Sequence, residues 1–526
     1  MRRFQVSGYL KDEGSYSIRP LFTSALPELT DSSSAELKEL VGLLSRSLTR
    51  TYARGKGSFT VLPATINQQY NTHHPYGWND GSMIQAKGFQ TQISAGFFTR
   101  IGPLSVQIRP EFVYARNPGF EEFPAWQIDS LWTPYYFVLN RIDSPERFGN
   151  GSYTKVFGGQ SSIRLNVKKL SLGVSTENIW WGPGVRNSLL MSNTAPGFPH
   201  LTFNTTAPVK TPIGSFEWQI LSGMLKGSGV YPTDTNKTVN GVRLYEPKPE
   251  DSKRYMNGMI VSWQPKWTKG LFLGFSRMFY LYNADVEHSL DGYLPILGAF
   301  FKGHTTNEDL KRRDQLLSVF ARLVLPKEKA EFYAEFGRND HAQNFTDLLM
   351  EPEHARAYII GGRKIFTSRN NTDVELMFEM TQTETSPTAW LRAQEGWYTH
   401  TQVRHGYTNR GQVLGAGIGS GSNSQVVGVS WIKGLKKLGF SLERVVRNND
   451  FYYRAFQPLY NARYHWIDLS LNAYRNWYCN NFIFSANLSF VRSLNYQWRY
   501  QRDDQGKDIY HNVHNIHAAF SASYIF

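Results

Sequence analysis

From about Phe59 to its last residue the chain keeps changing character every second position, and a strand is the regular element with that period. Leu104, Val106, Ile108, Pro110, Phe112 and Tyr114 alternate with Ser105, Gln107, Arg109, Glu111 and Val113. Ile163, Leu165 and Val167 alternate with Arg164, Asn166 and Lys168, and Phe216, Trp218 and Ile220 with Glu217 and Gln219. Val374, Leu376, Phe378 and Met380 alternate with Asp373, Glu375 and Glu379; Val427, Val429 and Trp431 precede a Lys/Gly turn, with Phe440 and Leu442 beyond it. These are repeated hairpins with one apolar face and one face that carries charge. Pro110 has no N–H for a ladder, so a bulge or an interface position is expected there.

Two architectures use such strands: a soluble sandwich with its polar face in water, or a large barrel with that face toward a lumen. Aromatic residues make up 15% of the 526 (14 Trp, 29 Tyr, 34 Phe), yet mean hydropathy is −0.43. A helical membrane protein is excluded, because nowhere do 18 apolar residues run uninterrupted. A Tyr/Trp-rich soluble sandwich is the competitor. Connection lengths favour the barrel: tight turns such as Ile101–Leu104 and Pro326–Lys329 alternate with long polar stretches such as Thr233–Lys253 and Gly303–Arg313. The end of the chain favours it too. Ile516, Ala518, Phe520, Ala522, Tyr524 and Phe526 share one face, opposite Asn515, His517, Ser521 and Ser523, and soluble domains seldom finish on an apolar strand. The pattern predicts an all-β protein, a large closed antiparallel transmembrane β-barrel of a bacterial outer membrane, over residues 58–526.

Residues 1–57 are set apart by a helical period. Ser33 and Glu36 make a capping-box pattern, followed by Leu37, Leu40, Val41, Leu44 and Leu48 on one face, which suits a short periplasmic helix. No signal peptide is visible: Phe4–Leu10 is too short and polar for an apolar core after Met1-Arg2-Arg3. A single cysteine, Cys479, allows no internal disulfide. The net charge of +14 favours anionic partners, lipopolysaccharide phosphates or acidic polysaccharide above nucleic acid, for which no motif is present.

No catalytic constellation has the required spacing: HExxH, GxSxG and Walker loops are absent. Glu351-Pro352-Glu353-His354 and His73-His74 read as loops, not metal ligands, and neither a metal nor a cofactor is expected. Gly415, Gly417, Gly419 and Gly421 read as strand glycines at a bend or a close approach. Paired carboxylates for hydrolysis stay open, since a sequence gives no distances. The densest unusual segment is Glu177–Pro199. Trp180 and Trp181 stand beside a Gly182-Pro183-Gly184 turn, with Glu177, Asn178, Arg186, Asn187, Ser192 and Asn193 around them. Aromatic faces stack on sugar C–H faces while Asn, Arg and Glu hydrogen-bond hydroxyls; an aromatic girdle with an ordered plug is the equal alternative.

That segment resembles the signature of the capsule assembly Wzi family in its Bacteroidota-type form. The resemblance extends to PYGWNDG (Pro75–Gly81, with Trp78, Asn79 and Asp80), to IGPLSVQIRPEFVYA (Ile101–Ala115) and to the carboxy-terminal strand. It implies a barrel of roughly eighteen strands, about 29 residues each with connections, and a small periplasmic helical element. It also implies a non-catalytic role in organising capsular or extracellular polysaccharide at the cell surface. Outer-membrane lipid, lipopolysaccharide and the barrel-assembly machinery are the further expected partners. A porin for sugars or small solutes and an outer-membrane hydrolase are the alternatives.

Overall fold

The computed structural model describes residues 1–10, 14–21, 35–44, 46–297, 312–339, 345–368, 372–390, 392, 394–460 and 463–526. Eighteen antiparallel staves close into one barrel. The first nine are β1 (Gly57–Asn71), β2 (Gly88–Ile101), β3 (Leu104–Ile108 and Glu111–Ala115), β4 (Tyr153–Phe157 and Ser162–Val167), β5 (Leu170–Ser175), β6 (His200–Thr205), β7 (Gly214–Leu225), β8 (Arg254–Pro265) and β9 (Leu271–Tyr282). The others are β10 (Arg313–Leu325), β11 (Ala330–Asn339), β12 (Arg356–Thr367), β13 (Asp373–Gln382), β14 (Asn423–Lys433), β15 (Lys436–Val446), β16 (Ile467–Cys479), β17 (Phe482–Leu494) and β18 (Val513–Tyr524).

The wall is inside out compared with a soluble sandwich. On β16, Leu469 and Leu471 are exposed while Asp468, Ser470 and Asn472 are buried; on β13, Leu376 and Phe378 are exposed while Glu375 and Glu379 are buried. A polar core inside an exposed apolar band is stable only where lipid, not water, lies outside. Ile101–Leu104 and Pro326–Lys329 are tight turns, and the chain turns at Gly102 and Gly434 with φ of 56° and 62°, where a side chain would be strained. Pro110 interrupts β3, and β4 breaks opposite it at 158–161, with Arg109 bridged to Gly159.

Closure is made by the terminal stave. β18 pairs with β17 from Ser493↔Val513 to Phe482↔Tyr524, and with β1 from Asn71↔His517 to Ala64↔Tyr524. Below that point a short strand, Thr49–Tyr52, covers the remaining edge of β1 by pairing with Gly57–Thr60. Over these residues the edges that would otherwise stay open in the bilayer are paired.

Helix α1 (Arg2–Val6) sits against β10 at the short-turn end, where Val6 packs with Phe272, Val324 and Ile365. Helix α2 (Ala35–Leu44) docks on the β14–β15 turn, where Glu39 accepts from the Leu435 N–H (3.1 Å). Of the apolar stripe read from sequence, Leu40 is half-buried and Leu48 exposed. Ser33 and the side chains of Glu36, Leu37, Val41 and Leu44 lie outside the described residues, as does most of Gly303–Arg313. At the long-loop end, α3 (Asp129–Leu139) and α4 (Asn449–Phe456) cross over the mouth. Their contact buries Phe123, Leu131, Trp132, Phe451, Phe456 and Trp498 in an aromatic cap.

Candidate functional site

The lumen is filled by chain from three places. Ile18–Arg19 enters from the amino-terminal side and pairs as a two-residue strand with Trp180–Trp181, in the connection between β5 and β6. Residues 396–422, between β13 and β14, fold in from the other end: Tyr398 donates to the Leu189 carbonyl (2.8 Å), and the Ser192 N–H donates to that of Leu414 (2.7 Å).

Charged wall residues hold this plug. Glu331 is fully buried and meets Arg2 (3.2 Å), Arg322 (2.7 Å) and Arg363. Arg363 also meets Glu375 (3.4 Å), which Lys437 reaches at 2.8 Å. Glu379 accepts from the N–H groups of Val185 (2.7 Å), Arg186 (3.0 Å) and Asn187 (2.8 Å) and from the Tyr333 hydroxyl (2.8 Å). Buried charge is stable only when so paired, which explains why carboxylates and guanidinium groups alternate around the wall.

The predicted site residues fall into two layers of this plug. In the first, Trp181 is fully buried and donates from Nε1 to Gln219 Oε1 (2.8 Å), while Trp180 is 3% exposed with the Arg19 guanidinium over its ring. Glu177 binds Arg164 (2.7 Å), and Asn187 donates to Thr381 (3.1 Å). In the second layer, Arg186 pairs bidentately with Glu443 (3.1 and 2.8 Å) and lies 4.2 Å from the Trp78 ring centre. Asn79 donates to the Arg186 carbonyl (2.8 Å), the Gly81 N–H to the Asn193 carbonyl (2.6 Å), and Asn178 to the Ala195 carbonyl (2.8 Å). The structure thus brings Trp78, Asn79, Asp80, Asn178, Arg186 and Asn193 together, with Trp180 and Trp181 deeper. The glycine run 415–421 corrects the sequence reading: it lies in the plug, not in a strand. The close approach is nevertheless real, since a Cβ on Gly417 would come within 2.4 Å of Trp78 and one on Gly415 within 2.1 Å of the Leu189 carbonyl.

Above Trp78 and below the cap lies a cavity of about 270 Å³. It is lined by Thr194 and Gly417–Ser420, by Tyr135, Ile142 and Glu146, and by Arg447, Phe451, Trp466, Tyr496, Gln497 and Trp498. Trp466 meets Trp498 and Tyr496 edge-on, each at 4.9 Å between ring centres, and Phe451 meets Trp498 at 4.8 Å. Arg447 is fixed by Asp468 (2.8 Å) with its guanidinium toward Trp78 and Trp466. Two buried polar atoms on this wall have no protein partner among the described residues, Gln497 Oε1 and Trp498 Nε1. They sit on strained backbone, with φ of 47°, 61° and 46° at Asn495, Gln497 and Trp498, a cost that structures tend to concentrate at sites of function. In the same lining, desolvation pushes the Glu146 carboxyl up to about 7. Sequence reading missed this wall. Its one signal was aromatic density in long loops, in YHW (464–466) and YQWRY (496–500).

The profile of the family described as capsule assembly protein Wzi matches residues 61–496. Among solved structures the chain is similar to Wzi of Escherichia coli, described as an outer membrane protein involved in group 1 capsule assembly and a carbohydrate-binding β-barrel. The TM-score is 0.62 at 14% identity, covering 100% of this chain and 97% of that one. OccAB2 of Acinetobacter baumannii (TM-score 0.41, 9% identity, 88% and 97% covered) and OpdQ of Pseudomonas aeruginosa (0.39, 8%, 89% and 97%) are more distant. No curated protein sequence matches.

Proposed function

The chain belongs to the capsule assembly protein Wzi family, and from that premise we propose that this outer-membrane barrel binds or organises capsular or extracellular polysaccharide at the cell surface without covalent chemistry. One observation carries the reading: the cavity under the cap joins aromatic rings to an unpaired buried donor, Trp498 Nε1, and an unpaired buried acceptor, Gln497 Oε1. Sugars present that same combination, with C–H faces for the rings and hydroxyls for the polar atoms. Glu146 and Arg447 add an acid and a cation to the same lining.

In this reading Trp78, Asn79, Asp80 and Asn193 are the layer that supports the cavity lining. Glu177, Asn178, Trp180, Trp181, Arg186 and Asn187 hold that layer to the wall. Residues 1–57 are an amino-terminal segment with a short periplasmic helix that also supplies the Ile18–Arg19 strand of the plug and the Thr49–Tyr52 strand on the edge of β1, and residues 58–526 are the barrel. Outer-membrane lipid and lipopolysaccharide surround the apolar band, and the barrel-assembly machinery receives the terminal strand. The filled lumen argues against a porin.

The test compares cell-attached with shed polysaccharide in the source organism, normalised to folded barrel. Trp498→Ala with Gln497→Ala should release polysaccharide. Unchanged attachment per folded barrel removes the cavity from the binding site.

A further inference from the structure

The upper rim of the wall carries two arginines and a histidine facing outward. Arg444 on β15 stands opposite Leu469 on β16, Leu469 opposite Arg492 on β17, and Arg492 opposite His514 on β18. All four are exposed. Neighbouring strands lie about 4.8 Å apart, so the row from Arg444 to His514 spans about 14 Å. One pleat lower, the same staves present Leu442, Leu471, Phe490 and Ile516, again opposite one another and all exposed. The row therefore sits where the apolar band ends.

Among the described residues none of the three has an ion pair. Arg444 donates to two neutral oxygens, Asn423 Oδ1 (3.0 Å) and Gln425 Oε1 (2.8 Å), which fix the direction of its guanidinium. His514 lies against the Phe490 ring, 5.3 Å between centres. The Glu384 carboxylate on that side accepts from the side chains of Asn423 and Asn449. Elsewhere on the rim the arrangement differs: Arg338 on β11 and Arg356 on β12 reach loop carbonyls, those of Glu351 (3.5 Å) and Glu384 (2.9 Å).

We propose that Arg444, Arg492 and His514 bind the phosphate groups of an outer-leaflet glycolipid whose acyl chains lie on Leu442, Leu471, Phe490 and Ile516. A spaced row of cations directly above an apolar face matches a ligand with more than one phosphate directly above several chains. A soluble anion would need the row but not the face beneath it. The site rests on the barrel lying in the outer membrane and is independent of the polysaccharide cavity.

The experiment uses the full-length protein in mild detergent, with native mass spectrometry as readout. The probes are bis-phosphorylated lipid A, its dephosphorylated form and inorganic phosphate. The parent should retain the bis-phosphorylated lipid. Arg444→Gln with Arg492→Gln should weaken that retention about thirtyfold, the effect of removing two cations near an anionic head group, while keeping its heat-dependent gel shift. Arg492→Gln alone, which removes no side-chain hydrogen bond or ion pair among the described residues, gives a second variant should the double one fold poorly. Equal retention by the variants, equal retention of the dephosphorylated lipid, or displacement by equimolar inorganic phosphate would each overturn the site. Loss of the gel shift in the parent would instead overturn the barrel.

Discussion

Trp498 and Gln497 lie next to one another on left-handed backbone and leave a donor and an acceptor unpaired at the cavity wall. An anchoring aromatic typically contributes on the order of 2 kcal/mol or more, roughly thirtyfold in affinity. Trp498→Ala should therefore weaken binding of purified polysaccharide by about that factor in a titration normalised to folded protein. Trp180→Ala with Trp181→Ala should behave in the opposite way. Both rings are buried in the plug, so the folded yield should fall while polysaccharide attached per folded barrel holds. Glu146 supplies a pH dependence. Desolvation raises its carboxyl to about 7 in the folded protein from an ordinary 4.5, so the folded state binds more protons between those values. Stability of the cap is thus full below about 4.5 and declines as pH rises toward 7. Glu146→Gln should flatten that decline in a thermal melt followed by tryptophan fluorescence. An equal slope in the variant would assign the dependence to another group.

The elements follow from side chains that alternate between lipid and lumen, and their order follows from the connections. β18 is the element on which closure depends, because it pairs with β17 on one side and β1 on the other. Deleting it would leave two edges unpaired in lipid, each unsatisfied group costing several kcal/mol. Deletion of 513–526, or Phe526→Ser at the exposed end, should block assembly, seen as loss of membrane-inserted protein. Normal levels of the deletion variant would show that another strand closes the sheet. The plug depends on buried carboxylates in a similar way. Glu331 faces three guanidinium groups inside the barrel. Removing one partner from such a buried set costs about 3–5 kcal/mol, so Glu331→Gln should lower the temperature at which the gel shift is lost.

At the scale of the whole molecule, the closed wall, the filled lumen and the capped mouth act together. A closed barrel satisfies every strand hydrogen bond within lipid, so unheated and boiled samples should migrate differently on a gel. In a planar bilayer the protein should be nearly silent, because the amino-terminal strand, the 176–199 connection and residues 396–422 occupy the path of ions. Steady conductance of porin size would overturn that picture. The band of outward Leu, Phe and Ile, with the cation row above it on β15–β18, also sets the depth at which the barrel sits.

The sequence alone determined the wall. A period of two repeated along the chain, tight turns at one end, long connections at the other and an apolar last strand have one consistent solution in lipid, so the closed barrel was legible from residue order. It also singled out the Glu177–Pro199 segment by its aromatic and polar density, and the family resemblance joined PYGWNDG to it. Tertiary structure decided what the segment does locally. Whether Trp180 and Trp181 face a ligand or the plug depends on Ile18–Arg19, some 160 residues away, pairing with them inside the lumen. The glycine run was misplaced for the same reason: its close approach is to Trp78, a contact no local period encodes. The cavity itself is built from six separate connections, those near 75, 146, 194, 418, 451 and 497. Neither the free oxygen of Gln497 nor the proton affinity of Glu146 exists until those loops meet, because both arise from desolvation by distant neighbours rather than from residue type.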